Sequence, residues 1–160
     1  MAVEFPITSS RDEFLRWANE KKNEFDSLVP LHAALGIETV EFADSVAVMR
    51  LPYGYDLVGN SETGVIHGGV ITTLMDASSG AAVWMHLMKA VPIATLDLRI
   101  DYLRPADPEV SVVCRATCYK STRNVAFTRA IAFHDNEADP IASATGTFML
   151  ATKTVSIGGS

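Results

Sequence analysis

The sequence predicts an α+β fold: one long central helix wrapped by a curled antiparallel β-sheet, with an additional helix at the N-terminus. Three observations predict it. A single long helical stretch, about residues 67–90, opens on paired glycines and stops before Pro92, because a proline disfavours helical geometry in the residue before it. Four strand-like stretches then follow in unbroken succession, each roughly 10 to 12 residues long where five or six is usual. A hairpin pattern precedes the helix. Long antiparallel strands twist and curl, and a sheet curled over one apolar helix is the economical way to bury both.

Taken in order, Ser10-Arg11-Asp12-Glu13 is a capping box that opens a helix over about residues 10–28, with Phe14, Trp17, Lys21 and Phe25 on one face. Val29-Pro30 ends it. Residues 37–51 alternate around Asp44-Ser45 as a two-stranded hairpin, and 52–64 form a loop rich in Gly, Pro, Tyr and Asn. In the long helix Val70, Leu74, Ala77, Ala81, Trp84 or Met85, and Met88 recur at helical spacing, so this stripe is expected to face a core. Small residues (Thr72, Thr73, Ser78, Ser79, Gly80, Ala82) occupy the remaining faces and predict close packing on more than one side. Strands are expected at 93–103, 109–120, 124–134 and 140–151. Residues 10–151 read as one domain, with flexible ends at 1–9 and 152–160.

The chain has 160 residues, 48% of them apolar and 20% charged, with a formal net charge of −6. That length is long enough to bury a core, and the composition excludes a disordered chain. Scattered basic residues exclude the footprint a nucleic acid needs. No apolar run approaches the roughly 18 residues of a membrane span, and residues 1–10 lack the apolar block of a signal peptide, so the expected location is cytoplasmic. Cys114 and Cys118 share a strand and stand about 13 Å apart, beyond disulfide reach. Without a His or acid at ligand spacing they read as plain thiols, and no metal is implied.

The informative stretch is Asn60-Ser61-Glu62-Thr63-Gly64-Val65-Ile66-His67-Gly68-Gly69-Val70, followed by Leu74-Met75-Asp76. Glycines at a helix start permit close approach to the backbone. The first turn leaves N–H groups unpaired at the positive end of the helix dipole, which is equipment for holding an oxyanion. Asp76 lies two turns in, too deep to cap the helix, where a buried carboxylate is costly. A solvated polar face and a small polar pocket both fit its neighbours Thr72, Thr73 and Ser79.

His67-Gly68-Gly69, with Asp76 nine residues after the histidine, resembles the motif of the phenylacetate-pathway (PaaI-like) acyl-coenzyme A thioesterases. The similarity continues through Thr95-Leu96-Asp97-Leu98-Arg99-Ile100-Asp101-Tyr102-Leu103-Arg104-Pro105-Ala106 and spans about residues 35–150, leaving the N-terminal helix outside. The resemblance implies a hotdog fold working as a homodimer or dimer of dimers (a homotetramer). It implies no metal and no cofactor, coenzyme A being part of the substrate. Gly68 N–H would polarise the thioester carbonyl, and Asp76 would activate water or attack directly. His67 and Asn60 would orient thioester and water, and Thr95 would help hold the nucleophile. His67 also fits a residue that locks the helix start by hydrogen bonds, and Asn60 precedes Gly64 by one residue more than in the relatives.

Arg99, Arg104, Lys120 and Arg123 lie on or beside the sheet and are the candidates for the coenzyme A phosphates. Met75, Trp84 and Phe127 are the residues on which pocket depth would depend, while Cys114 and His86 read as core or surface. Two rival functions fit the fold. A hydratase or dehydratase of acyl thioesters needs a paired acid and base, for which Asp76 and His67 are too far apart on one helix. A non-catalytic acyl-coenzyme A binding subunit would want a partner or DNA-binding domain, for which only the short N-terminal helix is left.

Overall fold

The computed structural model describes Pro6, residues 10–89 and residues 91–151. The ends expected to be flexible, 1–9 and 152–160, lie outside the described residues save for Pro6. The order of elements is α1 (Arg11–Glu20), α2 (Lys22–Leu28), α3 (Pro30–Leu35), β1 (Glu38–Ala43), β2 (Val46–Leu51), a 3-10 turn (Tyr55–Leu57), β3 (Val58–Asn60), β4 (Val65–Ile66), α4 (Gly68–Leu87), β5 (Ile93–Tyr102), β6 (Val112–Ser121), β7 (Val125–Phe133) and β8 (Ala142–Leu150). Six strands form one antiparallel sheet in the order β1-β2-β6-β7-β8-β5, and α4 packs mainly across β2, β6 and β7. This is the hotdog fold.

The N-terminal segment differs from the single helix expected. Ser10 Oγ accepts from Glu13 N as the capping box requires, but the helix breaks at Lys21, whose φ of −99° and ψ of 4° leave the helical region. Pro30 does not end the helical segment; it opens α3, because an N–H at the first helical position would have no acceptor within the helix and its loss costs nothing. Gly36 closes α3 in the left-handed conformation (φ 68°), which a Cβ would strain. The loop expected over 52–64 contains the 3-10 turn and β3, which pairs with β4 just beyond it.

The buried face of α4 also departs from the expected stripe. Ile71, Leu74, Met75, Ser78, Ala82 and Met85 point into the core, whereas Val70, Ala77, Trp84 and Met88 are only partly buried. Leu74, Ala81 and Met85 were placed correctly, so the true core face is turned by about one residue. Polar Ser78 is tolerated there because its hydroxyl donates to Leu74 O, 2.7 Å away. Each fully buried Leu, Met or Phe contributes about 1.5–3 kcal/mol by leaving water. Cys114 and Cys118 are buried and free, and burial pushes the Cys114 thiol up to about 12.

The two edge strands are finished differently. On β1, Asn19 Oδ1 accepts from Phe42 N (2.9 Å) and Asn19 Nδ2 donates to Phe42 O (2.7 Å). Lys22 Nζ donates to Val40 O (2.9 Å), and Asp26 Oδ1 accepts from Thr39 N (2.9 Å). Edge strand β5 has no such cover among the described residues. It carries one irregularity: Thr95 pairs with Phe148 but Asp97 with Thr147, so Leu96 is an extra, bulged residue.

Candidate active site

The start of α4 is built by its own sequence. His67 is the N-cap, its Nδ1 accepting from Gly69 N at 2.9 Å, which keeps the proton of the neutral ring on Nε2. His67 therefore locks the helix start as one of its two expected roles required. The Gly68 N–H has no acceptor among the described residues, and it sits at the positive end of a 20-residue helix. Behind it, the Tyr102 hydroxyl donates to Gly68 O at 2.6 Å and lies 2.8 Å from Thr72 Oγ1. Sequence reasoning missed this role for Tyr102; the residue was visible only as part of the strand-end motif. A cleft of about 380 Å³ opens beside Gly68, lined by Val65, Tyr102, Leu103, Arg104 and Pro105 among others.

Asn60 belongs to this end of the helix, through the pairing of Asn60 with Val65. Its side-chain oxygen is already engaged, accepting from Glu62 N (2.9 Å) and Thr63 N (3.3 Å) to close its own turn.

Asp76 lies eight residues beyond Gly68, about 12 Å along the axis. Thr95 Oγ1 donates to Asp76 Oδ1 at 2.8 Å, leaving Oδ2 without a donor among the described residues. Thr95 can face the helix because of the Leu96 bulge, which puts Thr95 and Tyr102 on the same side of β5. Asp76 and Thr95 stand on the wall of a cavity of about 240 Å³ whose other lining is mostly apolar, including Phe25, Phe42, Trp84, Ile93 and Phe148. Neither expected setting describes it fully: Asp76 is half-buried on the wall of a mostly apolar cavity, which Thr72, Thr73 and Ser79 do not line. Of the residues expected to set depth, Trp84 lines this cavity. Met75 is buried in the core instead, and Phe127 stacks beside Tyr119 with ring centroids 6.4 Å apart.

His32, carried by α3, faces the same cavity. Burial lowers its pKa from the ordinary 6.5, partly offset by the carboxylates of Asp26 and Asp76, so the imidazole is neutral at neutral pH. Sequence reasoning missed it because the segment was read as lying beyond the end of the N-terminal helix. His86 has a structural role, with ring nitrogens 3.0 Å from Ser45 Oγ and 3.1 Å from Ser121 Oγ.

The four basic candidates are not brought together within one chain. Arg99 is exposed and paired with Asp101 at 3.1 Å. Arg104 adjoins the Gly68 cleft, held by Asp139 at 3.1 Å and Asp107 at 3.7 Å. Lys120 and Arg123 lie at the β6–β7 turn, at the opposite end of the sheet from Arg104 by strand register. Among the described residues no group of three or more His, Cys, Asp or Glu has metal-binding geometry, and no helix is long and apolar enough to cross a membrane.

Comparison with known proteins gives consistent results. A family model, the thioesterase superfamily, matches residues 63–141. The medium/long-chain acyl-CoA thioesterase YigI of Escherichia coli is 30% identical over 135 residues, covering 76% of this chain and 86% of that protein. A crystal structure of a Pseudomonas aeruginosa protein superposes with a TM-score of 0.74 at 40% identity, covering 85% of this chain and 98% of the other. The Escherichia coli PaaI protein of the phenylacetic acid degradation operon shares the fold, with a TM-score of 0.76 at 16% identity over 89% of this chain and 99% of its own.

Proposed function

The chain belongs to the thioesterase superfamily and is a thioester hydrolase; from that premise we propose that its substrate is an acyl-coenzyme A, cleaved at a site shared between two subunits. The observation that carries this reading is the Asp76 carboxylate, fixed by Thr95 on the wall of an apolar cavity. The acyl-coenzyme A activity of the Escherichia coli relative supports the same substrate class.

In the proposed reaction Asp76 takes a proton from water as the water oxygen adds to the thioester carbon, or attacks that carbon itself to give an acyl-aspartate anhydride that water hydrolyses after the thiolate has left. The carbonyl oxygen gains negative charge and is held by the unpaired Gly68 N–H. The C–S bond then breaks, the thiolate of coenzyme A recovers a proton, and a carboxylic acid remains. An aimed donor of this kind is typically worth about 3–4 kcal/mol of barrier. His67 and Asn60 border the same end and orient the thioester; Arg104 is a basic residue lining the adjoining cleft.

Gly68 and Asp76 of one helix are too far apart to act on one carbon. Two α4 helices packed antiparallel about a twofold axis would set Gly68 of the partner subunit against Asp76. The uncovered β5 edge supports this assembly: Leu96, Tyr102 and Leu103 are 55%, 51% and 56% exposed there. Bare strand edges invite pairing. The test is release of free thiol from a panel of acyl-coenzyme A esters. Turnover supports the reading; binding without thiol release, or hydration of the acyl chain, would replace it with one of the two rivals.

A further inference from the structure

The cavity beside Asp76 has a direction. On α4 it is lined by Asp76, Ala77, Gly80, Ala81 and Trp84, positions that follow one helix face for eight residues, or about 12 Å. The middle of this run is kept small. A Cβ on Gly80 would stand 3.2 Å from Ile93 Cδ1, tighter than most such contacts, so even alanine would crowd the groove. The polar pair Asp76 and Thr95 marks one end.

Trp84 marks the other end, and it is held there. Its Nε1 donates to Val91 O at 3.0 Å, and its ring lies 6.3 Å from that of Phe25. Phe25 is itself braced by Trp17 at 5.9 Å and Phe42 at 5.3 Å. Leu28, Val29 and His32 supply a further wall from α2 and α3, a segment that lies outside residues 63–141. Among the described residues no Lys or Arg lines the cavity, so a chain ending in a carboxylate would find no permanently charged partner at the Trp84 end.

We propose that this groove receives the acyl chain, that the Trp84–Phe25 pair is the stop that sets its length, and that the preferred substrate carries an uncharged, straight acyl group of about eight carbons. The proposal rests on the acyl-coenzyme A reading above. The length follows from about 240 Å³ of space at ~30 Å³ per water-sized or methylene-sized unit. The specificity of the enzyme is thereby assigned to the N-terminal helices and the second half of α4, not to the catalytic end.

The experiment measures kcat/KM for straight-chain esters from acetyl- to palmitoyl-coenzyme A, in the wild type, Trp84→Ala and Ala77→Leu. In the wild type kcat/KM should rise about fourfold per added methylene until the groove is full, then fall. Trp84→Ala should move the maximum to chains about four carbons longer, the room an indole vacates. Ala77→Leu fills the groove from the floor and should move the maximum to shorter chains. It keeps the test alive if Trp84→Ala does not fold. A maximum that stays at the wild-type length in every folded variant, whatever the absolute rates, overturns the stop while leaving the acyl-coenzyme A reading intact. No thiol release by the wild type from any chain overturns both.

Discussion

The two edges of the sheet carry opposite treatments. Along β1 the N-terminal helices bond the free backbone groups of Thr39, Val40 and Phe42 through Asp26, Lys22 and Asn19. Along β5 the outer edge stays bare, although this strand supplies both Thr95, which holds Asp76, and Tyr102, which backs Gly68. A strand edge exposed to solvent is a liability that folds usually cover. The contrast teaches that the two edges are finished by different means: β1 is covered within the chain, and β5 is the edge that the proposed second copy would complete.

The strongest way to test the open side is Asp76→Asn. Amide and carboxylate are nearly isosteric, and the amide oxygen can still accept from Thr95, so the fold should survive. Turnover should fall by ~10² to 10⁴, or further if the carboxylate is the nucleophile. Retention of the wild-type kcat on the best ester would remove Asp76 from the site.

Gly68→Pro deletes the oxyanion donor at a position where helices accept proline, and should cost about 10² to 10³ in kcat. Its Cβ would stand 3.2 Å from the Tyr102 hydroxyl, so circular dichroism must first establish that the variant is folded. Refolded in equal amounts with Asp76→Ala, random pairing makes half the dimers mixed, each with one intact site, restoring about a quarter of wild-type activity. Zero recovery between folded, exchanging variants would sink the shared site.

The closed side should give the opposite signature. Asn19→Ala strips both partners from Phe42 and should cost about 1–3 kcal/mol of stability, read by chemical denaturation, with kcat/KM retained. A loss of rate without a loss of stability would mean that the β1 edge is not merely structural. Returning to β5, Thr95→Ala removes one hydrogen bond to the Asp76 carboxylate, worth about 1.5–3 kcal/mol, and should slow turnover roughly tenfold to a hundredfold, with Thr95→Ser nearly silent. An enzyme as inactive as Asp76→Asn would promote Thr95 to an essential group.

The smallest effect concerns pH. Because the folded-state pKa of His32 lies below the ordinary 6.5, the unfolded chain takes up its proton first as pH falls. Its contribution to stability is therefore whole above about pH 6.5 and is lost as pH falls through the folded value. His32→Gln should flatten that part of the stability curve. Identical slopes in denaturation series from neutral to mildly acid pH would show that His32 does not carry it.

Much of the fold was readable because strands alternate and proline punctuates. The hairpin around Asp44-Ser45, the start of α4 at His67 and the run of four long strands all follow from local pattern. The phase of α4 was not, since a helix apolar or small on nearly every face has no dominant stripe; whether Ile71 or Val70 faces the core is decided by the sheet. The N-terminal helices were misjudged because Pro30 serves equally to stop one helix and to start another. At the candidate site, Gly68, Asp76 and Thr95 were proposed from their motif, and the structure joins Thr95 to Asp76. His32 and Tyr102 entered only through tertiary contact, His32 from an element 44 residues before Asp76 in sequence. The basic candidates failed to converge because a sequence does not say at which end of a sheet a turn will lie.

The bulge at Leu96 has a consequence for how this chain can change. Thr95 and Tyr102 are seven positions apart, an odd count, and a regular strand sends odd partners to opposite faces. The single surplus residue corrects the parity, letting one strand reach the helix at two places. Deletion of one residue here would turn either Thr95 or Tyr102 to the outside, detaching the Asp76 carboxylate or the first turn of α4 from its support. Lineages descended from this sequence should therefore tolerate no change in the number of residues between 95 and 102.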